Sequence, residues 1–144
     1  MYKDALRAAW AEINITNLDF NIKQIKEKVG SGVKITGVVK ADAYGHGSVR
    51  VATVLRANGI ESFAVATLSE AVRLRKAGFL LEEIMVLSPI PEPYIDTIIE
   101  HRLSPVVCDY KNAEAISKAA AAAGIIIKGY IAVDTGMGRI GYSD

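Results

Sequence analysis

Short β-branched runs alternate with segments of helical period along this chain, and single glycines close most of the helical ones. This alternation restricts the fold more than any other feature, because a short apolar run followed by about a dozen amphipathic residues buries its apolar face best as a βα unit. The run Val33, Ile35, Val38, Val39 predicts a strand ending at Lys40. Phe63 to Ala66, Ile84 to Leu87, Pro105 to Cys108 and the long stretch Ile125 to Val133 predict four more. Upstream, Trp10 to Ile15 alternates well enough for a short strand. Asn17 then offers an N-cap to a helix that turns Leu18, Ile22, Ile25 and Val29 inward and ends at Gly30.

Further helices follow Val49, Ala52, Val54 and Leu55 up to Asn58-Gly59, and Ala71, Val72 and Leu74 between a Ser69 cap and Gly78. Two more run from Tyr94 to Arg102, and from an Asp109 cap through Ala113 to Ala123. Pro89, Pro91 and Pro93 force a turn between the third strand and its helix. The pattern predicts a mostly parallel sheet with right-handed crossovers, either an open doubly wound sheet or the first part of a (β/α) barrel. No Gly-x-Gly-x-x-Gly follows the first strand, which weighs against a dinucleotide fold.

The 144 residues carry 51% apolar and 23% charged side chains, the balance of an ordinary globular domain. A net charge of +1 leaves no electrostatic footprint for nucleic acid. No apolar run approaches the roughly twenty residues of a membrane span, and the mixed charge of Met1-Tyr2-Lys3-Asp4 predicts no signal peptide. The single cysteine, Cys108, fits a reducing cytoplasm. His46 and His101 stand far apart with no cysteine cluster between them, so no metal site is expected.

Two strand ends carry the residues of chemical interest. Lys40 closes the first strand and is followed by Ala-Asp-Ala-Tyr44-Gly45-His-Gly47. A lysine there can snorkel, with its stem on the sheet edge and its head in water. Desolvated or placed beside a cation, it becomes a nucleophile that forms Schiff bases with carbonyls, including that of pyridoxal phosphate. The second strand end, Asp134-Thr-Gly-Met-Gly-Arg139, presents a fixed cation suited to a carboxylate or a phenolate. Its ordinary alternative is a surface arginine paired with Asp134.

The continuous stretch Val38 to Gly47 resembles the pyridoxal-phosphate lysine motif of the alanine racemases, and Val133 to Gly141 is similar to their second motif. This resemblance implies that Lys40 binds the cofactor covalently and acts as one of two acid/base groups. It further implies that Tyr44 contacts the cofactor phosphate and that Arg139 binds substrate and orients the cofactor. One position departs from the family pattern, since Ala132 stands where alanine racemases usually carry a lysine that braces the arginine. Alanine cannot supply that charge, which leaves the substrate open between alanine and serine or another amino acid.

The resemblance also implies a division of the chain. Residues 1–15 form an N-terminal segment, and residues 16–144 are an incomplete cofactor-binding barrel of the kind that needs roughly 250 residues to close. The C-terminal β domain of the family has no counterpart here, so the chain is expected to be the N-terminal part of a longer isomerase. That enzyme would be a cytoplasmic homodimer making D-alanine for peptidoglycan, with the opposite-face tyrosine supplied by the second subunit. A non-catalytic pyridoxal-phosphate barrel is the alternative from another class, and neither reading involves nucleic acid or membrane.

Overall fold

The computed structural model describes residues 10–143. The expectations for Met1 to Asp4, and for residues 5–9 of the N-terminal segment, lie outside the described residues. Five parallel strands, β1 (Gly37–Val38), β2 (Ser62–Val65), β3 (Glu83–Val86), β4 (Ser104–Val107) and β5 (Tyr130–Ile131), pair in the order of the chain. Sequential order decides between the two predicted architectures. A doubly wound sheet reverses direction at a switch point, whereas a barrel adds each new strand on the same side. The alternating βα units here are therefore the first part of a (β/α) barrel.

The helices are α1 (Ile15–Val29), α2 (Lys40–Tyr44), α3 (Ser48–Ala57), α4 (Leu68–Lys76), α5 (Ile95–Glu100) and α6 (Tyr110–Ala122), with a 3-10 turn at Glu92–Tyr94 where the prolines prohibit regular helix. The core lies between the sheet and these helices. Every other strand residue enters it, so Phe63, Val65, Ile84 and Val86 join Leu55, Leu74, Phe79 and Ile98 in one cluster. Phe63 and Phe79 meet edge to face at 5.4 Å. At Gly37 the helix layer comes so close that a Cβ would lie 2.6 Å from Leu55 Cδ1, which leaves no room for a larger residue.

The opposite sheet face is polar at the N-terminal ends of the strands. There Glu83 accepts hydrogen bonds from Lys128, at 2.8 Å, from Lys34, at 3.0 Å, and from the Tyr130 hydroxyl, while Ser104 approaches at 3.4 Å. Thr36 and Ser62 pair beside it at 3.0 Å. One carboxylate thus ties the chain before β1 to the starts of β3, β4 and β5.

Four local expectations give way to tertiary context. Residues 10–14 form no strand, and α1 starts at Ile15 with Asn14, not Asn17, as its cap: Asn14 Oδ1 accepts from Asn17 N at 3.0 Å. Starting one turn earlier places Leu18 and Ile22 against the core, while Ile25 and Val29 remain 50% and 40% exposed. The α4 cap is Thr67 in place of Ser69, because Thr67 and Glu70 complete a reciprocal capping box. The strands β1 and β5 are two residues each, far shorter than the apolar runs that contain them. Each has a single neighbouring strand among the described residues, and apolar sequence without a partner forms no ladder; Ile126 is 98% exposed.

The edges have a consequence. Beside β5 an open apolar groove of about 720 Å³, lined by Val107, Ile116, Ala120, Ile127 and Ile131 among others, lies on the helix side of the sheet. Unpaired edges next to uncovered apolar surface recruit other chains. The 144-residue chain by itself is expected to self-associate, and sedimentation velocity at rising concentration checks this; a monodisperse monomer at tens of micromolar would contradict it.

The Glu83 cluster makes stability dependent on acid. Burial acts to raise its carboxyl, but the hydrogen bonds from Lys128, Tyr130 and Lys34 outweigh that and hold it at about 2. A depressed folded value contributes stability above the ordinary carboxylate range, and that contribution disappears as pH falls toward 2. The contribution is on the order of 2 to 3 kcal/mol. Glu83→Gln is expected to destabilise by about that amount at pH 7 and progressively less below pH 4.5, measured by urea unfolding across pH.

Candidate active site at the strand ends

In a parallel sheet all strand C-termini open on one rim, so Lys40 after β1 and the Asp134 to Arg139 loop after β5 share that rim. The ladder runs one residue past β1, because Val39 N donates to Ala64 O at 2.9 Å and the Val39 side chain is fully buried on the helix side. Val39, with ψ of 21°, has already left the extended region, and Lys40 follows it as the first residue of α2. Lys40 is half-buried and forms no hydrogen bond or ion pair with any described residue.

Directly after Lys40 the backbone does something unusual. Ala41, Asp42, Ala43 and Tyr44 all have positive φ, from 50° to 54°, so α2 is a turn of left-handed coil built from residues with side chains. Left-handed geometry costs such residues roughly 1–2 kcal/mol each, and strain of this kind persists only where the surroundings impose it. The surroundings are visible. Ala41 N donates to Glu70 Oε1 at 2.7 Å, and the other oxygen of that carboxylate accepts from Ala66 N and Thr67 N at 2.8 and 3.1 Å.

Asp42 Oδ1 accepts from Ser48 N at 2.8 Å and from the Ser48 hydroxyl at 3.0 Å, and Arg73 lies 3.3 Å from it. The Ser48 backbone and hydroxyl hydrogen bonds, followed by the Arg73 charge, hold the Asp42 carboxyl below its usual value. Gly45 and Gly47, with φ of 86° and 87°, carry the chain out of the turn, and His46 Nδ1 lies 3.0 Å from Ala43 O. Tyr44, 63% exposed, extends from the turn with its hydroxyl unpartnered by described residues.

At the β5 end the loop is closed by Asp134 N donating to Tyr142 O at 2.8 Å and Tyr142 N donating to Ala132 O at 2.9 Å. The Asp134 carboxylate turns inward on the loop and accepts from Gly138 N at 3.0 Å and Gly136 N at 2.9 Å, which lowers its pKa. The pairing with Arg139 that a surface arginine would make is therefore absent. Arg139 is exposed and makes no ion pair with a described residue. Ala132, whose methyl carries no charge, sits in the ladder with its N–H on Val107 O at 2.9 Å. Cys108, after β4, has its thiol pushed up by burial and by Asp109, which disfavours the thiolate.

Lys40, Tyr44 and Arg139 thus share a rim, the first two on one turn and the third on the far edge of the sheet. The sequence matches the alanine racemase N-terminal domain family over residues 13–144. The chain belongs to this family. An alanine racemase of Clostridium kluyveri is 49% identical over 137 residues, covering 95% of this chain and 34% of that protein. Among solved structures, a Clostridium difficile alanine racemase in complex with cycloserine superposes with a TM-score of 0.90 at 35% identity, covering 98% of this chain and 38% of that one. A histidine racemase from Leuconostoc mesenteroides superposes with a TM-score of 0.78 at 29% identity, covering 90% of this chain and 34% of that one. The chain spans about a third of the length of the curated relatives it matches.

The bracing residues Asp42, Glu70 and Arg73 are absent from the sequence-based site. The signal for Glu70 is Thr67-Leu-Ser-Glu70, a capping-box pattern directly after a strand, while Asp42 and Arg73 carry no local signal of their own.

The loop that presents Arg139 depends on Gly141, which has φ of 119° and where a Cβ would lie 2.8 Å from Asp134 N and 3.0 Å from Ala132 O. Gly141→Ala is expected to open this loop and cost about 1–3 kcal/mol. Faster proteolytic cleavage within residues 134–141, at unchanged cleavage elsewhere, checks it.

Proposed function

We propose that this chain is the N-terminal, cofactor-binding part of a pyridoxal-phosphate-dependent amino-acid racemase that interconverts L- and D-alanine. The observation that carries the proposal is the Lys40 amine, half-buried at a strand end, without a partner among the described residues, on a turn whose backbone is held in place. The residues suit the cofactor chemically: an amine for its carbonyl, an exposed phenol at Tyr44 for its phosphate, and a fixed cation at Arg139 for anionic oxygen. Bound pyridoxal phosphate supplies an electron sink that acidifies the Cα proton of an attached amino acid.

Lys40 would take or return the Cα proton on one face of the substrate. Arg139 pairs with the substrate carboxylate or the cofactor phenolate oxygen and fixes which face Lys40 meets. A base on one face requires an acid on the other, since return to the same face regenerates the starting enantiomer. We assign that second group to a tyrosine of a C-terminal β domain in the partner subunit of a homodimer. A cytoplasmic role in making D-alanine for peptidoglycan accords with the single cysteine and with the described helices, none of which is long and apolar enough to cross a membrane.

A second reading, a racemase of serine or another amino acid, is favoured by Ala132. The fold tolerates such a change of substrate, as the name of the structurally similar histidine racemase indicates. Both readings are tested by full-length protein in deuterated water, scored for deuterium entering the Cα of alanine, serine and histidine. Exchange into alanine above the others supports the first. Lys40→Ala is expected to reduce exchange at least a hundredfold, and stripping the cofactor with hydroxylamine is expected to abolish it until pyridoxal phosphate is returned. Undiminished exchange in Lys40→Ala would remove the lysine from the mechanism.

A further inference from the structure

The left-handed turn after Lys40 has a single side chain holding its first peptide N–H, and that side chain lies on another βα unit. Glu70 Oε1 accepts from Ala41 N at 2.7 Å, the amide adjacent to Lys40, while its Oε2 accepts from Ala66 N and Thr67 N at the end of β2. Arg73, one turn further along the same face of α4, lies 3.3 Å from the Asp42 carboxylate of the same lysine turn. The face of α4 toward this turn therefore offers an anion to a peptide donor and a cation to a carboxylate two residues after the lysine. A capping box needs its glutamate only for the N-cap amide. Here the carboxylate has a second oxygen engaged outside its own helix.

We propose that Glu70 is a positioning residue for Lys40, fixing where the amine stands on the rim by anchoring the Ala41 amide to the start of α4. The proposal rests on the reading of Lys40 as the cofactor lysine. Without this acceptor, the first residue of the turn is free to leave the left-handed region, and the peptide joining it to Lys40 rotates with it. The Asp42 carboxylate, held by Ser48, would still tie the rest of the turn to the start of α3, so the loss falls on the lysine and not on the fold.

The test uses the full-length protein and compares three variants. Glu70→Gln is isosteric, but its amide has one acceptor for donors arriving on two sides. Glu70→Asp keeps the charge at the helix start and is one methylene too short to reach Ala41. Thr67→Ala removes the hydroxyl that accepts from Glu70 N and leaves the carboxylate on Ala41. In the cofactor-free protein, hydrogen exchange of the Ala41 amide is expected to rise about tenfold or more in both Glu70 variants and to stay within about twofold of wild type in Thr67→Ala. Borohydride trapping of pyridoxal phosphate on Lys40, mapped by peptide mass spectrometry, is expected to slow by a similar factor in the Glu70 variants alone. Equal Ala41 protection in wild type and both Glu70 variants overturns the proposal, as does the same loosening in Thr67→Ala, which would make the effect one of helix capping. Trapping on a different lysine in wild type overturns the assignment of Lys40, while amide exchange still decides whether Glu70 holds the turn.

Discussion

The rim depends on one constraint: the chain must leave β1 within a residue of Lys40 without carrying the lysine away from the strand end. A right-handed helical exit would continue the chain outward toward the helix layer and take the side chain with it. Four left-handed residues instead turn the backbone tightly beside the strand, and the buried Val39, hydrogen-bonded to Ala64, fixes the point of departure. Left-handed geometry over residues with side chains is a standing cost. It is offset locally by acceptors on α4 and by the Asp42 contacts to Ser48, so the cost and its compensation lie within one βα unit of each other.

The two ends of the strands divide the labour. At the N-terminal ends, charge is closed on itself, with Glu83 surrounded by Lys34, Lys128 and Tyr130. That arrangement stabilises the barrel wall and leaves little for a ligand. At the C-terminal ends the cations Lys40 and Arg139 have no ion pair among the described residues, while the nearby carboxylates of Asp42, Glu70 and Asp134 are occupied by backbone N–H groups. Anionic side chains that would otherwise neutralise the two cations are thereby kept engaged.

Much of this was legible in the sequence. The alternation of periods predicts every βα unit, and glycines at the helix ends mark where units stop. The strand extents at the two edges were not legible, since apolar character is a property of Ile125 or Val33 while a ladder is a property of a pair of strands. Cap choice at α4 turned on a reciprocal contact between Thr67 and Glu70, and the alternative Ser69 is equally good as an isolated residue. Sequential strand order, which separates a barrel from a doubly wound sheet, has no local signature at all. Of the candidate site, Lys40, Tyr44 and Arg139 stand out in the sequence because each carries its chemistry in its own side chain. The left-handed turn was hidden for the opposite reason, as the conformation of Ala41, Asp42, Ala43 and Tyr44 is set by their neighbours.

Strand order also determines how the two motifs cooperate. In a closed eightfold barrel built in chain order, the first and fifth strands stand across the mouth from each other. Lys40 and Arg139 follow those two strands, so a ligand that touched both would lie over the open end of the barrel, held by neither loop alone. Local rigidity then matters on both sides of the mouth. On the β1 side it comes from the left-handed turn and its acceptors, and on the β5 side from Asp134 gripping its own loop and from Gly141, whose missing Cβ lets Tyr142 close it. A displacement of either anchor changes the span across the mouth between Lys40 and Arg139, and the hydrogen bonds to backbone on both sides of the rim oppose such a displacement.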